Sequence, residues 1–282
     1  MNAPCPPSPP FPPNQNWQWN GSRWVCTAST GTIVIVKVFN ASAPYTPSPG
    51  LQSLTVETIG GGGGGGATVG SAGGGVNANT AGGGGSGGYS RKTLAAPMVA
   101  GGVNVAIGQG GAGADLTSFS SSAGQPTTFG TLCTSNGGSG GGSAVNGGTW
   151  SGGAGALPGV GDIAFLGSAG ESGTATQPPS TMELVVHGGL GGVVWGGSSP
   201  GADVGPGGSA PGNEGWPNTG AGGTGGAVYD AVPGAAGGNG GSGICIVTEY
   251  CWADAGDTGC GCGTTGGARV AAPAGWQGGF DD

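Results

Sequence analysis

Apolar and polar residues alternate in only a few short stretches of this chain, and between them the pattern gives way to glycine. Leu54-Thr55-Val56-Glu57-Thr58-Ile59 runs straight into seven consecutive glycines, Gly60 to Gly66. Thr32 to Phe39 is an unbroken β-branched run, and Ile244-Cys245-Ile246-Val247-Thr248-Glu249-Tyr250 alternates cleanly. These patterns predict strands over 32–39, 54–59 and 244–250, with further strands at 91–94 and 103–107 joined through Pro97. The proline-rich stretch Ala43 to Gly50 is expected to be a turn. Strand 54–59 opens the glycine region and strand 244–250 closes it, so the two are expected to pair.

Seven glycines in a row form no ordinary helix, since each costs about 1 kcal/mol there relative to alanine. They also give a strand nothing to pack with. Backbone without Cβ atoms can instead lie very close to other backbone. An extended threefold helix of the polyproline II kind makes no internal hydrogen bonds, so its N–H and C=O groups need outside partners once buried. Neighbouring glycine helices can supply them, with weak Cα–H···O contacts adding to the lattice. The expected fold is therefore mostly β and irregular: a small β framework enclosing a polyglycine II helix bundle.

From about residue 108 to 243, runs such as Gly137 to Gly142, Gly188 to Gly192 and Gly237 to Gly241 alternate with bulkier inserts. In a bundle the inserts are the turns at its two ends, and loops on a rigid scaffold are where recognition concentrates. Trp150, Phe165, Trp195, Trp216 and Tyr229 are the candidate contact residues on such loops, and capping the bundle core is an equally ordinary role for each of them. Upstream, prolines at 4, 6, 7, 9, 10, 12 and 13 mark an extended arm. Asn20-Gly21 then sits between two aromatic arms bearing Trp17, Trp19 and Trp24, a hairpin signal whose tryptophans pair across strands. Too small to be stable alone, that hairpin is expected to dock on something, as an anchor. Three regions result: an arm and hairpin over 1–31, the glycine-rich domain over 32–251, and an Asp- and Cys-containing extension over 252–282.

Composition narrows the reading. Glycine accounts for 75 of 282 residues and charged residues for 6%. Collagen requires glycine at every third position, and here the spacing drifts. A disordered Gly/Ser linker lacks the Val, Ile, Leu, Trp and Phe that recur between these runs, and most disordered chains carry more charge. The net charge is −8 and no basic face can neutralise phosphates, so nucleic acid is not an expected partner. No segment reaches 18 consecutive apolar residues. The first residues show neither a basic nor an apolar signal region, and no signal peptide is assigned to them.

No catalytic constellation emerges, and the protein is not expected to be an enzyme. His187 is the single histidine, beside an apolar run where a structural role is the ordinary one. A phosphate loop would need Gly-Lys-Ser/Thr, which is absent, so GxGxxG matches mean nothing in a chain this rich in glycine. No cofactor or metal is expected. The cysteines, Cys5, Cys26, Cys133, Cys245, Cys251, Cys260 and Cys262, do not have a zinc spacing. Cys245 and Cys251 lie on one side of a regular strand about 20 Å apart and cannot bond each other. Disulfides elsewhere, some between subunits, are the expectation if the protein works outside a cell, as on a particle oxidised after release; the odd count leaves at least one cysteine free or paired between chains.

The segment from Phe39 through Tyr45-Thr46-Pro47, then Leu51 to Ile59 and Gly60 to Gly66, resembles the glycine-rich domain of bacteriophage tail fibres and adhesins. Gly87 to Lys92, Gly124 to Gly130 and Gly240 to Tyr250 follow the same pattern in order. The resemblance covers about residues 33–251. It implies stacked polyglycine II helices with variable loops at one end contacting the host surface. It implies a virion protein assembled in the host cytoplasm, whose partners are other virion proteins and a bacterial surface sugar or protein. A homo-oligomer, as a trimer, follows from how fibres are usually built. A head fibre, decoration or connector that binds no host is the alternative, because the cysteines, the Trp hairpin and the tail lie outside the pattern.

Overall fold

A computed structural model describes residues 16–19, 24–27, 32–70, 78–144, 148–176, 185–193, 201–229 and 233–252. Its regular structure is almost all strand; the one helical turn among the described residues is the short 3-10 segment Ala96–Val99, with Pro97 near its start. Among the described residues no helix is long and apolar enough to cross a membrane. The compact unit that carries the glycine region runs from Ile33 to Cys251. In the separate N-terminal unit, Asn16–Trp19 and Trp24–Thr27 pair antiparallel as the Asn-Gly signal predicts, setting Trp19 opposite Trp24 and Trp17 opposite Cys26.

The framework is a sandwich of two antiparallel sheets. The larger places Leu51–Ile59 at its centre, with Tyr89–Ala95 and then Ile163–Phe165 on one side, and Ile244–Trp252 and then Thr32–Phe39 on the other. The expected pairing of the opening and closing strands is present: Ile59 faces Ile244 and Val56 faces Val247, with a bulge at Tyr250/Cys251. The smaller sheet runs Cys133–Ser135, Thr127–Phe129, Val103–Ala106, Ala43–Tyr45. Period-two alternation turns Leu54, Val56, Leu94, Cys245 and Val247 inward against Tyr45, Val105, Phe129 and Cys133, which fills the core. Ala43–Tyr45, expected to be turn, is strand instead. Its Pro44 sits in the outermost strand of the smaller sheet, where a missing N–H is tolerated.

A buried carboxylate stitches this framework together. Glu249, fully buried, accepts the Tyr45 hydroxyl at 2.6 Å, the Ser48 hydroxyl at 2.6 Å, the Ser48 amide at 3.1 Å and the Lys37 ammonium at 3.0 Å. Burial opposes its ionisation, but the hydrogen bonds from Ser48, Tyr45 and Lys37 outweigh that and hold its pKa below the ordinary value of 4.5.

The glycine segments between strands carry no helix or strand, and their hydrogen bonds recur every third residue. Gly60, Gly63 and Gly66 donate to the carbonyls of Gly88, Gly85 and Gly82 at 2.8–3.0 Å. Gly61 and Gly64 donate to Gln125 and Ser122, while Gly62 and Gly65 donate to Gly241 and Gly238. Three further segments donate back: Gly111 and Ala114 to Gly62 and Gly65, Gly138 and Gly141 to Gly61 and Gly64, Gly223 and Gly226 to Gly63 and Gly66. The run therefore has six backbone neighbours, and the antiparallel run Ala81–Gly88 is enclosed in the same manner. Both are buried, and every amide N–H in them donates to a backbone carbonyl.

Only glycine fits this approach. A Cβ on any of Gly60 to Gly66 would lie 1.9–2.2 Å from a neighbouring carbonyl oxygen. Since Leu51–Ile59 leads into Gly60 and Gly88 leads into Tyr89–Ala95, the sandwich stands at one end of these runs. At the far end two small sheets close the structure. One is Gly148–Thr149, Ala78–Thr80, Ala227–Tyr229, Ser209–Ala210; the other is Thr174–Thr176, Val185–His187, Asp203–Val204. Between them lies a second apolar cluster of Val186, Ala202, Val204, Ala227 and Tyr229.

Gly64→Ala, whose Cβ would meet the Ala112 carbonyl oxygen at 2.0 Å, is expected to abolish cooperative folding. Gly101→Ala, where nothing lies within 4 Å, is expected to keep the melting temperature within a few degrees of the parent. Thermal melts of the two purified variants check this. For Glu249, the folded pKa is depressed, so its stabilisation is present above the unfolded value and is lost as pH falls through the folded one. The parent should lose stability as pH drops below 4.5, whereas Glu249→Gln should start lower by about 2–3 kcal/mol at pH 7 and show a flatter acid limb in denaturant titrations.

Candidate functional site

The far-end sheet of three strands builds a cleft. Thr174 lies opposite His187 and His187 opposite Asp203, so the three residues form a row across one face. Backbone bonds fix the surrounding floor: Glu171 donates its amide to Leu190 at 2.8 Å and its carbonyl accepts Gly83 at 3.0 Å, while Gly188 donates to Ala202 at 2.9 Å. The cleft encloses about 330 Å³ and is lined by Glu171, Ser172, Thr174, His187, Leu190 and Asp203, with Gly188 and Gly201 between them.

His187 Nδ1 lies 2.7 Å from Asp203 Oδ1, an ion pair when the imidazole is protonated. When the ring is neutral, an Nδ1–H donated to the carboxylate fixes the tautomer and makes Nε2 an acceptor. Both side chains are solvent-accessible, Asp203 the more so. Two carboxylates, an imidazole and two hydroxyls beside the apolar Leu190 make a surface that exchanges hydrogen bonds with a hydroxyl-rich ligand. Trp150, 42% exposed, is tied to this region through its backbone, its carbonyl accepting the Gly173 amide at 3.3 Å, while its ring lies over Gly142 rather than in the cleft. Among the described residues no three His, Cys, Asp or Glu side chains converge to hold a metal ion.

The predicted contact residues do not share one surface. Trp150 is at the far end. Tyr229 is there too, but it is 8% exposed and belongs to the apolar cluster. Phe165 lies at the sandwich end on an edge strand, stacked on Tyr89 with ring centroids 5.9 Å apart. Trp216, 61% exposed, flanks the side of the bundle near Gly62, because Gly215 bonds Asn239 and Gly241 bonds Gly62. Trp195 lies outside the described residues, and for Trp17, Trp19 and Trp24 the backbone pairing alone is described. His187, which the sequence suggested to be structural, turns out to line the cleft. Glu171, Asp203, Ser172 and Thr174 carried no sequence signal, since His187 and Asp203 are 16 residues apart and meet only through strand pairing.

The expectation of disulfides is not met at the three cysteines whose side chains are described. Cys133, Cys245 and Cys251 are free thiols buried in the structure, while Cys5, Cys260 and Cys262 lie outside the described residues and only the backbone of Cys26 is described. Cys133 and Cys245 fill space between the two sheets as small apolar side chains. Burial pushes the Cys245 thiol up to about 12, with Cys133 nearby adding to the effect, and burial raises Cys133 and Cys251 as well. Protonated and shielded thiols do not exchange readily.

Residues 39–250 match the family model described as a glycine-rich domain. The chain belongs to that glycine-rich domain family. No curated protein matches it. The matched span begins at the last residue of the edge strand Thr32–Phe39 and ends within the closing strand, so it takes in the smaller sheet, the larger sheet apart from that edge strand, and the cleft.

Alkylation of the native domain with an iodoacetamide reagent should leave Cys133, Cys245 and Cys251 unmodified, and denaturant should expose all three, as read by peptide mass spectrometry. Labelling of Cys245 in the native state would contradict this packing.

Proposed function

We propose that the protein is a bacteriophage virion appendage, a tail fibre or tip adhesin, that holds its far end against the bacterial surface. In this reading the glycine segments are a polyglycine II bundle. The three-residue recurrence of their hydrogen bonds and the six neighbours of Gly60–Gly66 support it, because a threefold helix with all its polar groups outward requires that pattern. Such a bundle is a stiff support with no side chains inside it. Its role is to present loops rather than to perform chemistry.

The observation that carries the reading is the cleft at the bundle end remote from the sandwich. Its carboxylates, imidazole and hydroxyls suit the hydroxyls of a surface saccharide, and the exposed Trp150 ring at the same end of the molecule is a second surface on which a sugar face can stack. Attachment to other virion proteins then falls to the N-terminal Trp hairpin and the C-terminal extension, and the working location is the virion, assembled in the host cytoplasm.

Purified protein should block adsorption of the particle to susceptible cells in a saturable way. Asp203→Ala and Trp150→Ala, both at solvent-accessible positions, should each weaken that competition roughly tenfold or more without lowering the melting temperature. Folded protein that neither binds cells nor competes would remove receptor binding from the account and leave a decoration or connector role.

A further inference from the structure

The outer face of the edge strand Thr32–Phe39 is not explained by adhesion. Lys37 on this strand turns inward, donating to Glu249 at 3.0 Å and to the Thr46 carbonyl at 2.7 Å. By alternation Val34, Val36 and Val38 turn the other way, and they are 54, 58 and 59% exposed. This is the last strand of its sheet, eight residues long and free of proline, so it offers an open row of backbone donors and acceptors. Edge strands are ordinarily guarded by an outward charge, a bulge or a proline. Here the single charge is engaged in the core, and among the described residues no such guard stands on this edge.

The geometry points to a second copy of this chain as the occupant, paired antiparallel along Thr32–Phe39 about a two-fold axis at Val36. The sequence of the strand is what selects a copy of itself. Partners directly opposite in an antiparallel pair share a face, so the register that sets Val36 against Val36 also sets Val34 against Val38. The two valine triplets then merge into one apolar row, extended by the neighbouring closing strand, whose Ile244, Ile246 and Tyr250 are half-buried on the same side. No like charges meet, because each Lys37 remains with its own Glu249. The two five-stranded sheets become one continuous sheet, and main-chain hydrogen bonds supply affinity as in other strand-addition complexes. This pairing is independent of the saccharide reading.

Sedimentation velocity of the full chain across a concentration series tests it, with Val36→Lys and Val36→Cys as probes. The parent should sediment as a dimer that Val36→Lys converts to a folded monomer, with an unchanged circular-dichroism spectrum, a melting temperature that no longer rises with protein concentration, and unchanged cell binding per subunit. Oxidised glutathione should cross-link Val36→Cys to its own counterpart, since directly opposed residues lie about 4.5–5.5 Å apart at Cα, within disulfide reach. Val34→Cys, set roughly 13 Å from its counterpart along the strand, should not cross-link beyond the parent level. A parent that stays monomeric to its solubility limit, a trimer, or a dimer indifferent to Val36→Lys would each overturn the pairing. The first outcome would leave the edge to another segment of the chain or to a different protein.

Discussion

The closeness of backbone to backbone is the constraint on which the rest of this molecule depends. At Gly60–Gly66 every neighbouring carbonyl sits where a Cβ would have to go, about 2 Å away. Glycine is the most costly residue to order, because it loses the most conformational freedom on folding. That cost is offset here by contact density: each run donates to three neighbours and accepts from three others, so no buried amide is stranded. Side chains, which stabilise ordinary interiors by apolar burial, contribute almost nothing along these runs. They act instead at the two ends, where the sandwich and the small far-end sheets hold the runs in register.

This division of labour explains why the sandwich is built as it is. Isolated glycine segments have no reason to choose one alignment over another, since all their residues are alike. Alignment is imposed by strands that are unlike one another: Leu51–Ile59 and Ile244–Trp252 pair in one register only, because a one-residue slip would turn Val56 and Val247 out of the core. Glu249 strengthens the choice, as its four hydrogen bonds can form in a single alignment of Lys37, Tyr45 and Ser48.

Much of this was legible in the sequence, and the failures have physical causes. Strands with β-branched runs or clear alternation were found near their observed limits, and so was the pairing of the opening and closing strands. Short strands such as Thr127–Phe129 and Asp203–Val204 were missed, because two or three residues carry no periodicity and owe their state to the neighbours they meet. The Ala43–Tyr45 strand hid behind its proline, which is harmless at a sheet edge. For the five insert aromatics the sequence left contact and core capping equally open, and whether a ring lies outside or within a core depends on where the insert ends, as Trp150 and Tyr229 show from the same end of the glycine segments. The cleft was invisible for a similar reason: its acids and its histidine come from three separate segments.

The hydrogen-bond recurrence along Gly60–Gly66 also limits how such a chain can change in length. Successive residues address successive neighbours, so one added glycine would redirect every later amide to the wrong segment, whereas three would return each to its own. Growth of the inner runs is thus counted in threes and must be matched by all the segments around them. Nothing of the kind binds the inserts at the far end. The molecule separates into a part whose length is quantised and a part whose length is free, and variation has room only in the second.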